Sequence, residues 1–228
     1  MLIVHHMRVS QSERIVWLCE ELGIDYDLKL YRRDPFFSPQ ALKDLTEIGT
    51  APVIQDGDLT MSESAACVEY IIHKHGNGRL TLPPSHPDYA SYLYWFHYSN
   101  GSLQPGVSRN MSLKSADIDP SNDTFKRYTA RLDQYLRHID GHLGRGNEWL
   151  AGKEFTAADI MTVFTLTTMR TFYSLDLSSY ESILPYLKRA VQRPAYKKYR
   201  EKGEDSDFPL MIDGPAPENF IEKFRSKA

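Results

Sequence analysis

Apolar and polar positions recur along this chain with two different periods, and the change of period divides it. Residues 2–6 form a short apolar run with β-branched members. Residues 12–22 then place Ile15, Leu18, Cys19 and Leu22 at helical intervals, with Gly23 where a helix stop belongs. Residues 26–30 return to apolar and charged residues in alternation, so the opening predicts a βαβ unit with parallel strands and a right-handed crossover. Residues 39–45 predict a short helix. The Asp56-Gly57 pair between two short apolar runs predicts an antiparallel hairpin over residues 53–62. A helix over residues 63–75 comes next, with Ala66, Val68, Ile71 and Ile72 apolar and Gly76 as its stop.

Beyond this βαβββα module the strand signals vanish. Residues 77–87 carry three prolines and a glycine, a linker composition that separates a first domain (1–76) from a second (88–228). Helices are predicted over residues 88–113, 124–143, 157–173, 180–192 and 195–202. Thr156 and Asp159 have capping-box spacing, and Phe155 and Ile160 are placed as a hydrophobic staple. From Asp205 onward the chain mixes Pro209, Gly214, Pro215 and Pro217 with a final short amphipathic stretch, and is expected to wrap the surface. No internal repeat or low-complexity tract interrupts this plan.

Composition narrows the class without naming the chemistry. The 228 residues are 41 % hydrophobic and 25 % charged with a net charge of -3, which fits a globular protein and supplies no basic field for nucleic acid. Cys19 and Cys67 both fall in predicted helices and make no disulfide framework, so a reducing, cytoplasmic address is expected. The opening MLIVHHM has too short an apolar stretch to read as a secretion signal. Residues 89–108 lack Asp, Glu, Lys and Arg but include His97, Asn100, Gln104 and Pro105, so no membrane span is expected.

Three motifs, in order, carry a resemblance. They are Ser10-Gln11-Ser12-Glu13-Arg14 with the helix they open, Gly49-Thr50-Ala51-Pro52-Val53 with Glu63-Ser64-Ala65-Ala66, and Phe155-Thr156-Ala157-Ala158-Asp159-Ile160. Set in a βαβββα module joined to an all-helical domain, they resemble the cytosolic glutathione transferase family. Tyr31-Arg32-Arg33-Asp34 and the stretch from Tyr98 to Pro105 point toward its bacterial and yeast-type fungal members. The resemblance implies an α/β thioredoxin-like domain that binds glutathione as cosubstrate, and an all-α domain that receives the acceptor.

Each site residue also has a plain structural reading. Ser10 precedes a helix and forms a capping-box pair with Glu13, yet the same hydroxyl and helix start can stabilise an anion. The resemblance implies that Ser10 donates a hydrogen bond to the glutathione thiolate; Ser12, inside the helix, is the weaker candidate. Pro52 suits a strand edge, and the resemblance implies a cis Ala51-Pro52 bond that presents the Val53 backbone to the cysteinyl part of the tripeptide. Glu63 and Ser64 suit a helix start. The resemblance assigns Ser64 to the γ-glutamyl carboxylate and Glu63 to its ammonium.

Thr50 departs from the family pattern, because many relatives place a lysine or glutamine there for the glycine carboxylate. Thr46-Glu47 likewise replaces a frequent His-Pro. Arg32, Arg33 or Lys43 are the candidates to compensate. His138 and His142 have the spacing of metal ligands but lack the Glu of a metalloprotease motif, so no metal is expected. The aromatic residues Tyr92, Tyr94, Trp95, Phe96 and Tyr98 are expected to divide between core and acceptor pocket.

The expected function is a glutathione S-transferase that conjugates the thiolate to a small hydrophobic electrophile. A glutathione-dependent disulfide reductase or peroxidase is the first alternative, and a non-enzymatic docking or ligand-carrier module of the same fold is the second. A homodimer is expected, with neither nucleic acid nor membrane as partner.

Overall fold

The computed structural model describes residues 1–34 and 36–218. Its elements are β1 (Leu2–Met7), α1 (Glu13–Leu22), β2 (Asp27–Tyr31), α2 (Gln40–Lys43), β3 (Val53–Asp56), β4 (Leu59–Ser62), α3 (Ser64–Lys74), α4 (Tyr89–Tyr98), α5 (Gln104–Ser115), α6 (Asp123–Leu143), α7 (Ala157–Leu166), α8 (Ile183–Val191) and α9 (Pro194–Gly203). The expected final amphipathic stretch lies outside the described residues.

The chain divides into two compact units: Met1–Leu82 with Ala190–Pro209, and Pro83–Arg189 with the segment from Leu210. In the first, four strands are ordered β2-β1-β3-β4. β1 and β2 are parallel with Val4 opposite Leu28, while β1–β3 and β3–β4 are antiparallel. Gly57 takes φ 61° at the hairpin between β3 and β4, the left-handed conformation that favours glycine. Gly23, also at φ 61°, returns its N–H to the last turn of α1. α1 buries Ile15, Val16, Leu18, Cys19 and Leu22, and α3 buries Cys67, Val68, Ile71 and Ile72. Each such aliphatic contributes about 1.5–3 kcal/mol on leaving water.

The sequence assigned everything beyond residue 88 to the helical domain, but α9 packs on α1 in the first unit. Tyr196 meets Trp17 edge to face at 4.9 Å, and Arg193 grips the Glu21 carboxylate through two nitrogens at 2.6 and 2.8 Å. Pro194 opens α9, where its missing N–H removes no helical bond.

The second unit is helical throughout its described elements. The single helix predicted over residues 88–113 is three segments, because Ser99–Leu103 widens into a π-helix between α4 and α5. Pro105 has no N–H to continue an α ladder, and the Gln104 N–H reaches back to the Ser99 carbonyl. The helix predicted over residues 157–173 stops at Leu166. Thr167 turns its hydroxyl onto the Val163 carbonyl at 2.7 Å, and one 3₁₀ turn, Thr168–Thr171, comes after it. Asn122 caps α6 by accepting the Thr124 N–H at 2.8 Å. At α7 the expected capping box is present: Asp159 accepts the Thr156 N–H at 2.9 Å and Thr156 accepts the Ala158 N–H at 3.3 Å. Among the described residues no helix is long and apolar enough to cross a membrane.

Candidate functional site

The predicted site residues of the first unit sit on three turns: the loop from β1 into α1, the loop entering β3, and the start of α3. The first loop is held under strain. Val9, a β-branched residue, takes φ 56°. Its N–H donates to both Glu204 carboxylate oxygens at 3.1 and 3.0 Å, and its carbonyl accepts from Arg33 at 2.7 and 3.2 Å. Burial pulls the Arg33 guanidinium down to about 10, and Glu204 opposes that shift. Arg33, one of the candidates to compensate for Thr50, is thus engaged in shaping the loop.

Ser10 is next in the chain after Val9 and is almost fully buried. Its hydroxyl accepts the Ser12 N–H at 3.2 Å, as a cap does, and donates to the Met7 carbonyl at 2.7 Å. Glu13, its expected capping-box partner, accepts from the Tyr199 hydroxyl at 2.9 Å. Ser12 is wholly inside: its hydroxyl accepts the Met7 N–H at 3.1 Å and lies 2.7 Å from His6 Nδ1.

The second loop carries a cis Ala51-Pro52 peptide bond. Leu42 of α2 packs in one buried cluster with Met7, Ala51 and Val53, which anchors the loop from beneath. Thr50 is exposed, and Gly49 before it takes φ 67°, the left-handed region that favours glycine, with the Lys43 stem 3.2 Å from where a Cβ would stand. Thr46 accepts the Gly49 N–H at 3.2 Å and has a turn-forming role.

The structure corrects the expectation for Val53. This residue is fully buried in β3, opposite His5 of β1 and Ser62 of β4, so its backbone belongs to the sheet ladder. The backbone outside that ladder is Ala51, on the other side of the cis peptide. Its carbonyl accepts from Gln11 Nε2 at 3.1 Å.

At the third turn Glu63 is exposed with φ 72°, and Ser64 behind it is buried. Arg14, wholly buried on α1, donates to the Ser64 hydroxyl at 3.0 Å and to Gln11 Oε1 at 3.1 Å. Gln11 and Arg14 therefore join all three turns. Burial lowers the Arg14 guanidinium to about 9, with Glu13 opposing. The sequence reading missed this pair, although Arg14 stands three and four residues before Trp17 and Leu18 on the apolar face of α1, where a charge is conspicuous. It also missed His6 and Glu204, for which spacing offers no signal.

The chain's own thiols are poor nucleophiles. Cys19 and Cys67 are buried and unbridged, and burial pushes the Cys67 thiol up to about 12 and that of Cys19 higher. In the second unit, His142 donates to the Leu150 carbonyl at 2.9 Å and His138 bonds the Tyr94 hydroxyl at 3.0 Å. Both rings lie against Trp95, at 4.6 and 5.1 Å. Among the described residues no three His, Cys, Asp or Glu side chains are grouped to hold a metal. Tyr98 is buried and donates to the Tyr135 carbonyl at 3.1 Å. Tyr94 and Leu93 are exposed on α4.

The arrangement in the first unit, with hydroxyls and amides converging at two helix starts beside a cis-proline turn, is suited to binding an extended anionic peptide. Known proteins agree with it. Residues 10–74 match the model of the glutathione S-transferase N-terminal domain, and residues 113–203 that of the C-terminal domain. Glutathione S-transferase 3 of Schizosaccharomyces pombe is 33 % identical over 231 residues, covering 93 % of this chain and 92 % of its own. The structure of a glutathione S-transferase from Actinobacillus pleuropneumoniae superposes with a TM-score of 0.81 at 31 % identity, over 89 % of this chain and 92 % of that one. The glutathione transferase URE2P6 of Phanerochaete chrysosporium, solved in complex with oxidized glutathione, shares the fold at a TM-score of 0.72 and 18 % identity, over 88 % and 95 % of the two chains. This chain belongs to the glutathione S-transferase family.

Proposed function

We propose that this protein binds glutathione in the first unit, stabilises its thiolate through the Ser10 hydroxyl, and conjugates the sulfur to a small hydrophobic electrophile. The observation that carries the reading is the junction of three turns by Gln11 and Arg14, which brings Ser10, the Ala51-Pro52 turn and Ser64 into one fixed constellation. The Ala51 backbone pairs with the cysteinyl residue, Pro52 shapes that turn, and Val53 supports it from the sheet. Ser64 offers its N–H and hydroxyl to the γ-glutamyl carboxylate while Glu63 accepts from the ammonium. The glycine end falls to the Thr50 hydroxyl and to Lys43, whose stem flanks the same loop.

Ser10 acts by hydrogen bonding and is not the nucleophile; the nucleophile is the bound thiolate, whose formation and alignment lower the barrier. The reaction needs no metal. A cytoplasmic address belongs to the same reading, since two buried free thiols suit a reducing compartment. So does a homodimer, for which the exposed Leu93 and Tyr94 of α4 offer apolar surface. Sedimentation at micromolar concentration tests the dimer.

The deciding experiment compares an aryl halide, a disulfide and a hydroperoxide as second substrates, after retention on immobilised glutathione. Turnover of the aryl halide, lost in Ser10→Ala, is the expected result. Turnover of the disulfide or hydroperoxide alone would assign the site to reduction, and failure to be retained would assign the fold to docking or carriage.

A further inference from the structure

Behind Ser10 runs a line of buried polar side chains that thiolate binding by Ser10 alone does not explain. The Ser10 and Ser12 hydroxyls are 2.7 Å apart, and Ser12 Oγ is 2.7 Å from His6 Nδ1. Ser12 and His6 are fully excluded from solvent. On the far side of the ring, His6 Nε2 has no hydrogen-bond partner among the described residues and faces Glu204 Oε1 at 3.4 Å. The Glu204 side chain is also wholly buried; it accepts the Val9 N–H and lies 3.3 Å from the Tyr199 hydroxyl.

We propose that His6, acting through Ser12 and Ser10, takes up the proton that the glutathione thiol loses, and that Glu204 holds the imidazolium so formed. This rests on the reading of Ser10 as the thiolate's partner. Before glutathione binds, His6 is neutral with its proton on Nε2, toward Glu204. Ser12 donates to Nδ1, and Ser10 shares its proton between Ser12 and the Met7 carbonyl, 2.7 Å away.

When the thiol arrives, its proton passes to Ser10 Oγ, the proton of Ser10 passes to Ser12 Oγ, and that of Ser12 passes to His6 Nδ1. One S–H and two O–H bonds break; two O–H bonds and one N–H bond form, and no oxidation state changes. Every donor in the line then points outward: His6 Nδ1–H to Ser12, Ser12 to Ser10, and Ser10 to the sulfur. Donors aligned in series polarise one another, so the thiolate meets a stronger donor than a lone serine. Once the sulfur has attacked its electrophile, the proton leaves by the reverse route to water.

The groups around His6 favour this role. Imidazole is the side chain that ordinarily exchanges its proton near neutral pH. Glu204 faces it from the stretch after α9, Tyr199 of α9 lies edge-on at 6.2 Å, and Glu13 of α1 is reached through the Tyr199 hydroxyl. His5, next along β1, bonds Tyr31 and Gln55. Among the cations, Arg33 is bound to the Val9 carbonyl and faces Glu204, Arg14 faces Glu13, and Arg200 faces Tyr199.

The test tracks the proton. In weakly buffered solution at neutral pH, with an indicator dye and thiolate absorbance recorded together, the wild-type protein should form the thiolate while releasing well under one proton per thiolate. The nitrogen resonances of His6 should move from neutral imidazole to imidazolium as glutathione is added. His6→Gln and Ser12→Ala should release a full proton per thiolate and show about a tenfold smaller thiolate fraction at that pH, with Ser10→Ala as the parallel control. The wild-type measurements need no variant, so a misfolded His6→Gln leaves the proposal exposed to refutation. Full proton release by the wild type with His6 remaining neutral overturns it. If Ser10→Ala lowers the thiolate fraction and a folded His6→Gln does not, the relay is wrong while the role of Ser10 stands. An unchanged thiolate fraction in Ser10→Ala overturns both.

Discussion

Arg14 donates to the Ser64 hydroxyl at 3.0 Å, so the first turn of α1 and the first turn of α3 share one buried guanidinium. The same side chain holds Gln11, whose amide reaches the Ala51 carbonyl. Replacing it by Met keeps much of the volume and removes every donor. Arg14→Met should cost about 2–4 kcal/mol in denaturant unfolding, because buried acceptors lose their partner. Glutathione affinity, measured by calorimetry on the folded fraction, should fall about tenfold. Loss of stability with unchanged affinity would mean that the tie supports the fold and not the site.

In the role proposed for Ser10, Ser10→Ala removes one charge-assisted hydrogen bond to the thiolate, worth about 1.5–3 kcal/mol. Turnover should drop by about ten- to a hundredfold and the pKa of bound glutathione should rise, with little change in affinity. Wild-type turnover near pH 6.5 would leave Ser10 with a capping role alone.

Asp159 gives a pH signature in the helical unit. It is fully buried and accepts from the Leu150 N–H at 2.9 Å, the Thr156 N–H at 2.9 Å and the Tyr186 hydroxyl at 3.1 Å. Burial lifts its carboxyl from 3.8 to about 6 against the pull of these donors. Between those two values the folded protein holds a proton that the unfolded chain has lost. The stability from this group is therefore complete below about pH 4 and is lost as pH rises through 6, by up to about 3 kcal/mol. Asp159→Asn, which cannot titrate, should be less stable overall and should lack this component. Urea unfolding at pH 4.5 and 7 checks it: a wild-type-minus-variant difference that stays constant would refute the assignment. Asp159→Ala should cost about 2–4 kcal/mol, since three donors lose their acceptor, while the specific activity of the folded fraction should be retained.

Arg170 predicts a local opening. Buried in the second unit, it donates to the carbonyls of Leu175, Met211, Asp213, Gly214 and Pro215 at 2.8–3.3 Å. A lysine has three donors on one nitrogen and cannot span that fan. Arg170→Lys should speed amide exchange and proteolytic cleavage around residues 211–215 by at least tenfold at modest cost to global stability. Unchanged exchange there would show that packing alone holds the segment.

Periodicity sufficed wherever an element is decided by its own side chains. The short apolar run of β1, the alternation in β2, the apolar stripe of α1, the Gly57 hairpin and the Thr156–Asp159 box are local devices, and each appears where the pattern placed it. It failed where a backbone bond competes with a side chain. The Gln104 N–H bonds the Ser99 carbonyl just before Pro105, and the Thr167 hydroxyl bonds the Val163 carbonyl where α7 ends, and neither bond changes the apolar period.

The order of residues was enough to specify the βαβββα module and the helical character of the second domain, and to set Ser10, Pro52, Glu63 and Ser64 at turns or helix starts. Which residues those turns depend on was settled by packing between elements. Glu204 reaches the Val9 N–H because α9 folds back onto α1, and Arg14 reaches Ser64 because α1 and α3 share one buried layer. Packing also removed Val53 from the ligand edge by placing it between two strands. One cause underlies all three. Spacing along a chain fixes which face of an element a side chain occupies, whereas a hydrogen bond or a ladder position depends on which element packs against that face, and burial makes the choice between them.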